Sequence, residues 1–101
     1  MPRSESYNKH LLKYLKDPRR AAAYLNAVLE DGDQELFLKA LRKVAEARGG
    51  MSKLATRTRI SRVGLYKVLS ERGNPEFRTV ATLLSAFHLR MAIQPSNAPL
   101  R

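Results

Sequence analysis

The chain has 101 residues, of which 44% are hydrophobic, and its formal net charge at pH 7 is +10. This length favours a single globular domain. The chain contains no cysteine, which excludes disulfide bonds and thiolate metal sites. A membrane span needs about 18 consecutive apolar residues, and the sequence has no such run. The first residues are polar and lack the apolar core of a signal peptide, so we expect a cytoplasmic protein.

The positive charge is concentrated in one part of the chain. Residues 48–78 contain eight basic and two acidic side chains, whereas residues 21–47 contain three basic and five acidic ones. A dense cluster of Lys and Arg is typical of a surface that binds the phosphates of nucleic acids. The sequence therefore predicts a nucleic-acid-binding segment in the second half of the chain, preceded by a mildly acidic one.

The N-terminal segment carries little structural signal. Residues 1–9 are polar and are predicted to be frayed, while the apolar residues within 10–15 recur irregularly, which fits a short helical turn or an extended segment. Residues 1–16 are therefore predicted to form an arm.

The first long helix should begin at Asp17 and Pro18, because Asp is a good N-cap and Pro suits the first helical position. Its apolar stripe comprises Ala21, Ala22, Leu25, Val28 and Leu29.

A second helix is predicted from about Gln34 to Arg48. Gly32 can end the preceding helix and Asp33 can cap this one, while the glycine pair after Arg48 stops it. The apolar stripe is wide, which suits a central helix that contacts the first long helix on one side and the next pair of helices on the other. Its members are Leu36, Phe37, Leu38, Ala40, Leu41, Val44 and Ala45.

Residues 51–69 predict two short helices joined by a tight turn. Ser61 is a good N-cap for the second helix. The apolar residues of that helix follow i, i+3, i+4 spacing and so form one face, and a small Ala in the first helix allows the two to cross closely. This arrangement indicates a helix-turn-helix motif, whose second helix reads the major groove of DNA. The predicted inner face comprises Leu54, Ala55, Ile60, Leu65, Val68 and Leu69.

Two residues depart from the usual pattern of this motif. Arg59 occupies a turn position that is usually Gly, because the backbone there is left-handed. Placing Arg in that conformation should cost about 1 kcal/mol of stability. Gly64 lies inside the second helix, where Gly costs about 0.5–1 kcal/mol relative to Ala. Gly64 either allows the helix to lie close to DNA or has no functional role.

The outward residues of the motif have the chemistry needed for DNA recognition. Arg and Lys can donate hydrogen bonds to guanine or phosphate, Ser can donate or accept, and Val can contact a thymine methyl. The residues predicted to face the groove are Ser61, Arg62, Val63, Tyr66 and Lys67. The residues predicted to contact phosphates are Ser52, Lys53, Arg57, Arg78 and Thr79. Together they predict double-stranded DNA as the ligand.

The C-terminal region predicts a fifth helix over about residues 78–87 and a short strand over residues 88–94, with a flexible tail at 95–101. A strand needs a partner for its backbone groups. We expect that partner to be the same strand of a second subunit in a homodimer, or, less favourably, the segment 11–15 of the same chain. The DNA-binding domain would then span residues 17–94. The apolar residues whose period of two indicates the strand, and which would form the dimer contact, are Leu89, Met91 and Ile93.

Several stretches of the sequence together resemble one known family. They are Tyr14-Leu15-Lys16-Asp17-Pro18, Ala21-Ala22-Ala23-Tyr24-Leu25, Leu36-Phe37-Leu38-Lys39-Ala40-Leu41, and the run from Ser61 to Ser70 with Gly73-Asn74-Pro75. These stretches, within about residues 14–94, are similar to the HigA-like addiction module antidote proteins of bacteria. The resemblance implies an all-α, lambda-repressor-like fold and a dimeric repressor that binds its own operator. It also implies neutralisation of a RelE/ParE-type toxin encoded beside it.

A toxin of that type is basic, so its docking surface on this chain should not be strongly positive. Only the segment 21–47 has a net negative charge, which places the toxin on the two N-terminal helices, away from the reading helix. The alternative is that these acidic residues only cap helices, as predicted for Asp33. The residues predicted to bind the toxin are Glu30, Asp31 and Glu35.

Other function classes fit the sequence less well. A stand-alone phage-type repressor would share every DNA-binding feature and would lack only the adjacent toxin. An enzyme is not expected, because no nucleophile–base pair, paired carboxylates or metal cluster occurs at a useful spacing, and no cofactor is implied. RNA binding is disfavoured because the chain has only four Tyr and three Phe and no aromatic platform.

Overall fold

The computed structural model of the chain describes residues 2–70 and 72–97, with side chains from residue 5 onward. The all-α class predicted from the sequence is confirmed. None of the helices in this described part combines the length and the apolarity that crossing a membrane requires. The described residues form six helices: α1 (Pro2–Tyr14), α2 (Pro18–Asp31), α3 (Gln34–Ala47), α4 (Gly50–Thr58), α5 (Arg62–Val68) and α6 (Phe77–Ala86).

The two long central helices begin and end at the residues that local signals predicted. The side chain of Asp17 accepts a hydrogen bond from the backbone N–H of Arg19 at 2.9 Å and so caps α2. Gly32 ends α2 in the left-handed conformation, with a φ of 72°. The side chain of Asp33 then accepts from the N–H of Leu36 at 3.2 Å and caps α3. Each cap pairs an N–H that the first turn of a helix otherwise leaves free.

The prediction that residues 1–9 are frayed is wrong for residues 2–9, because residues 2–14 form helix α1. For residues 10–14 the helical alternative is confirmed and the extended one is not. Residue 1 lies outside the described residues. The apolar residues of α1 recur irregularly because the helix meets the core mainly near its C-terminal end. Farther towards its N-terminus, Asn8 Oδ1 accepts a hydrogen bond of 2.8 Å from Lys43 Nζ of α3. The apolar residues that join this segment to the core are the half-buried Leu11 and Leu12 and, just beyond the helix, the fully buried Leu15.

Helix α3 is central in the fold, as predicted, since it packs against α1, α2 and α4. Its side chains Leu38, Leu41 and Val44 are at most 1% exposed. Helix α4 in turn packs against α5 and α6, so it connects the N-terminal helices to the basic half of the chain. Burial of this apolar surface is the main force that holds α5 in place. The other buried residues are Leu15, Ala21, Leu25, Ala40, Ala45, Ala47, Leu54, Leu65, Leu69, Leu83, Leu84 and Phe87.

The prediction of a C-terminal strand is wrong, because residues 89–97 are neither strand nor helix. His88 takes a left-handed backbone with a φ of 63°, and the N–H of Leu89 donates to the carbonyl of Leu84 at 2.8 Å. This geometry ends a helix and places an apolar residue just after it against the core. Leu89 packs against the core in this way. The apolar alternation therefore begins with a helix-end contact.

No strand exists elsewhere in residues 2–70 and 72–97 that could pair with this tail. The alternative partner segment, 11–15, lies in α1 and the turn after it, so its backbone groups are already bonded within the helix. Met91 is 42% exposed and Ile93 is 100% exposed. Residues 98–101 of the predicted flexible tail lie outside the described residues.

Candidate nucleic-acid interface

The turn between α4 and α5 comprises three residues, Arg59, Ile60 and Ser61. Arg59 has a φ of 62°, so it adopts the left-handed backbone expected at this position in spite of its side chain. Its N–H donates to the carbonyl of Ala55 at 2.9 Å. The Thr58 hydroxyl accepts from the N–H of Ile60 at 3.3 Å. These bonds fix the path of the chain between the two helices.

Helix α5 has a buried side and an exposed side. Leu65 is 0% exposed, and Leu69, just past the end of the helix, is 1% exposed. All six residues predicted for the inner face of this helix pair are buried or pack against the core, which confirms that prediction. The side chains of α5 and its N-cap that remain exposed to solvent are those predicted to face a groove: Ser61, Arg62, Val63, Tyr66 and Lys67.

Gly64 has a packing role that the sequence did not reveal. A Cβ at this position would lie 3.1 Å from Ser61 Oγ and 3.3 Å from Cγ2 of Ile60. Ser61 Oγ is the N-cap of α5, since it accepts a hydrogen bond from the Gly64 N–H at 3.0 Å. The absence of a side chain therefore leaves room for the cap and for Ile60. Gly64 therefore stabilises the turn between α4 and α5. The sequence had indicated either close approach to DNA or no functional role.

Four of the five residues predicted to contact phosphates lie in the first turns of two helices. Ser52 and Lys53 are exposed in α4, and Arg78 is exposed in α6, where Thr79 is half-buried. Among the described residues, no side chain caps the N-terminus of either helix. Their first backbone N–H groups are therefore available to an anion, which the helix dipole also favours.

The fifth predicted phosphate contact, Arg57, already makes a bond within the protein. Its Nη1 donates to the carbonyl of Ala86 at 3.2 Å, so it joins α4 to the end of α6. Arg57 and Arg78 also line one groove of about 500 Å³, together with Thr82 and Ser85. A guanidinium has five N–H donors, so Arg57 can keep this bond and still bind an anion.

Arg42 of α3 lies beside the exposed side of α5, and sequence reasoning missed it. Its guanidinium carbon is 5.6 Å from the centroid of the Tyr66 ring, which is the distance of a cation–π contact. The two residues lie in different helices, so no local pattern could pair them. The only indication in the sequence was that Arg42 is a basic residue on the polar side of α3, the helix predicted to pack against the helix-turn-helix motif.

The acidic residues predicted to bind a toxin lie at the short connection between α2 and α3. Leu29 and Leu36, in the adjoining helical turns, are 53% and 44% exposed. No group of three or more possible metal ligands forms here or elsewhere in the described chain. We name this surface the α2–α3 corner, and its members, all exposed, are Leu29, Glu30, Asp31, Glu35 and Leu36.

The chain is similar to known proteins along most of its length. The family model described as "Probable addiction module antidote protein" matches residues 5–95, a range that includes α2 to α6 entirely. An uncharacterised protein of Haemophilus influenzae is 42% identical over 85 residues, which cover 84% of this chain and 87% of that protein. No solved structure matches the chain. From the family match, the chain belongs to the probable addiction module antidote proteins.

Proposed function

We propose that the protein is an antitoxin that binds operator DNA as a dimer, represses its own operon and neutralises a RelE/ParE-type toxin. Membership of an antidote family supports the antitoxin role. The observation that carries the DNA-binding part is the two-sidedness of α5, whose apolar side is buried while its basic side is exposed. We interpret α4, the turn and α5 as a helix-turn-helix motif of the lambda-repressor-like type, whose second helix enters the major groove.

The reading residues belong to α5 and its cap. Arg62 lies at the N-terminal end of the helix, where such helices contact base edges, and it can pair with guanine, as can Lys67. Tyr66 lies one turn further along the same side. Val63 is 71% exposed and can contact a thymine methyl. Ser61 accepts a hydrogen bond in the cap, and its hydroxyl proton remains available to a base.

The phosphate contacts are assigned to the first turns of α4 and α6 and to the groove between these helices. Ser52 and Lys53 would meet one phosphate through the free N–H groups of α4, and Arg78 and Thr79 another through those of α6. Arg57 lines the groove between them. Contacts of this kind position a protein on the duplex without reading its sequence.

Two matched substitutions separate the reading of bases from the binding of phosphates. Arg62→Ala should cost about 1–3 kcal/mol on the preferred duplex and should relax discrimination at one base pair. Lys53→Ala also removes one cation, but it should weaken the preferred duplex and an unrelated one by the same factor. Gel-shift titrations of each variant on both duplexes measure the difference. Loss of discrimination in Lys53→Ala but not in Arg62→Ala would reverse the assignment.

The dimer contact is assigned to the tail after α6. Met91 and Ile93 expose large apolar side chains, and Leu89 joins them to the core. Exposed apolar side chains can form an interaction site, and a second copy of the chain would cover Met91 and Ile93. Two-fold symmetry would place the two copies of α5 about one DNA turn apart, ~34 Å.

The toxin contact is assigned to the α2–α3 corner. Glu30, Asp31 and Glu35 are exposed there, and they make no ion pair among the described residues, whereas Asp33 is occupied as a cap. Carboxylates attract a basic partner and orient it. Exposed Leu29 and Leu36 supply apolar surface that a partner could bury. DNA and toxin would then occupy different surfaces of one protein.

A bacterial rescue assay tests this surface. Replacing Glu30, Asp31 and Glu35 by Lys reverses its charge while keeping the Asp33 cap, so rescue from the toxin encoded beside the gene should fall sharply. The control variant replaces Glu5, Glu46 and Glu76 by Lys, which changes the net charge equally elsewhere on the protein and should still rescue. It also removes the Glu46–Lys43 ion pair and changes the N-cap residue of α6, so its fold is checked by circular dichroism as well. Wild-type rescue by the corner variant, with circular dichroism showing an intact fold, would mean that the toxin docks elsewhere.

A further inference from the structure

The cation–π pair between Arg42 and Tyr66 joins α3 to the exposed side of α5. The Arg42 side chain is exposed, and among the described residues no ion pair engages its guanidinium. The neighbouring Lys43 instead pairs with Glu46 at 3.1 Å. The charge of Arg42 is therefore available to a ligand outside the protein, although its guanidinium is held against the Tyr66 ring at 5.6 Å.

The position of the Arg42–Tyr66 pair on a DNA duplex can be inferred from the proposed position of α5 in the major groove. Tyr66 lies four residues after Arg62, so both belong to the exposed side of the helix. Because Arg42 belongs to α3, its guanidinium can reach the Tyr66 ring only from beside α5. A helix with its side chains is about 10–12 Å across, and the major groove is about 12 Å wide. The flank of a helix that fills the groove therefore meets the phosphate backbone at the groove's edge.

We propose that Arg42 is a DNA-contact residue that acts together with Tyr66. Its guanidinium binds a backbone phosphate at the edge of the groove, while its cation–π contact restrains the Tyr66 ring. A guanidinium in a cation–π contact still has N–H donors available for a phosphate. A ring that is restrained before binding loses less rotamer freedom on the DNA. This inference rests on the proposed DNA binding by α5 and adds a contact from outside the helix-turn-helix motif.

The test measures affinity and its salt dependence on a duplex that the wild-type protein has selected from a random library. The variants are Arg42→Ala, Arg42→Lys, Tyr66→Ala and the double alanine variant. Arg20→Ala is the control, because the Arg20 guanidinium carbon lies 5.2 Å from the centroid of the Tyr14 ring, in a cation–π pair between α2 and α1. Unlike Arg42, Arg20 also lies 3.9 Å from a carboxylate oxygen of Asp17. Circular dichroism of each variant confirms that the helices are intact.

Arg42→Ala should weaken binding by about tenfold or more, since a charge-assisted hydrogen bond is lost. The slope of log K against log salt should become shallower by about 1.8 for the two copies in a dimer, whereas Arg42→Lys should keep the wild-type slope. In the Tyr66→Ala background the same arginine substitution should cost less, because the two side chains act as a unit. Arg20→Ala should stay within about twofold of wild type and keep its slope, because Arg20 belongs to α2, which packs mainly against α3 and contributes no assigned DNA contact.

A wild-type slope for Arg42→Ala, or equal losses for Arg42→Ala and Arg20→Ala, would overturn the inference. Failure of the proposed DNA binding would give a different result, since the wild-type protein would then select no sequence at all. If the wild type selects a sequence and Arg62→Ala loses discrimination while Arg42→Ala binds like the control, only the role of Arg42 is refuted.

Discussion

Raising the salt concentration from about 50 to about 200 mM should weaken binding of the protein to its selected duplex by about 10⁴-fold. Four basic side chains of each subunit are assigned to phosphates, namely Lys53, Arg57, Arg78 and Arg42. They correspond to roughly 8 neutralised phosphates in a dimer, hence a slope near −7. Each phosphate contact releases condensed counterions, and this release becomes less favourable as bulk salt rises. Fluorescence anisotropy of a labelled duplex across the salt range measures the slope.

The control for this experiment is Lys53→Ala, which removes one assigned phosphate contact from each subunit. Its slope should be shallower than that of the wild-type protein by about 1.8. A wild-type slope near −2 would contradict the assignment of phosphate contacts to both α4 and α6. An unchanged slope in Lys53→Ala would show that Lys53 does not contact a phosphate, and would leave the other assigned contacts standing.

Leu65→Ala should lower the free energy of unfolding by about 2–5 kcal/mol, because it leaves a cavity where a fully buried side chain fixes α5 to the core. A domain of this size has only about 5–15 kcal/mol in total, so the loss is large. Val63→Ala is the control in the same helix, and since Val63 is 71% exposed it should change the free energy by at most about 0.5 kcal/mol. Urea titrations followed by circular dichroism measure both.

In DNA binding the larger effect should come from Val63→Ala, although Leu65→Ala has the larger effect on stability. Each variant is assayed under conditions where it is folded. Val63→Ala should lose discrimination for a thymine, whereas folded Leu65→Ala keeps every exposed side chain of α5. In the urea titrations, equal shifts of the unfolding midpoints of Leu65→Ala and Val63→Ala would contradict the burial of one side of α5.

The features that depend on a few neighbouring residues were predictable. Asp17, Asp33 and Ser61 are N-caps because a short polar side chain bonds an N–H two or three residues ahead, and this chemistry is visible in sequence. Arg59 adopts the predicted left-handed backbone because the turn requires it there. The inner face of α4 and α5 followed from helical spacing, which leaves the outward residues as the candidate DNA contacts.

The features that depend on contacts between distant residues were not predictable. Helix α1 and the turn after it present only Leu11, Leu12 and Leu15 to the core, and the contact of Asn8 with Lys43 is polar, so the periodic signal is short and weak. The alternation after α6 resembled a strand, although it begins with Leu89 packed at a helix end. The pairing of Arg42 with Tyr66 joins two helices.

Selection from a random duplex library tests most directly whether α5 reads DNA as part of a dimer. Wild-type protein should enrich a two-fold symmetric sequence whose half-sites lie about one DNA turn apart, ~34 Å, since a dimer presents two copies of α5 to one face of the duplex. The double variant with Arg62→Ala and Lys67→Ala should enrich no sequence while retaining weak, salt-sensitive binding. Enrichment of the same sequence by both proteins, or of none by the wild type, would contradict the assignment of α5 as the reading helix.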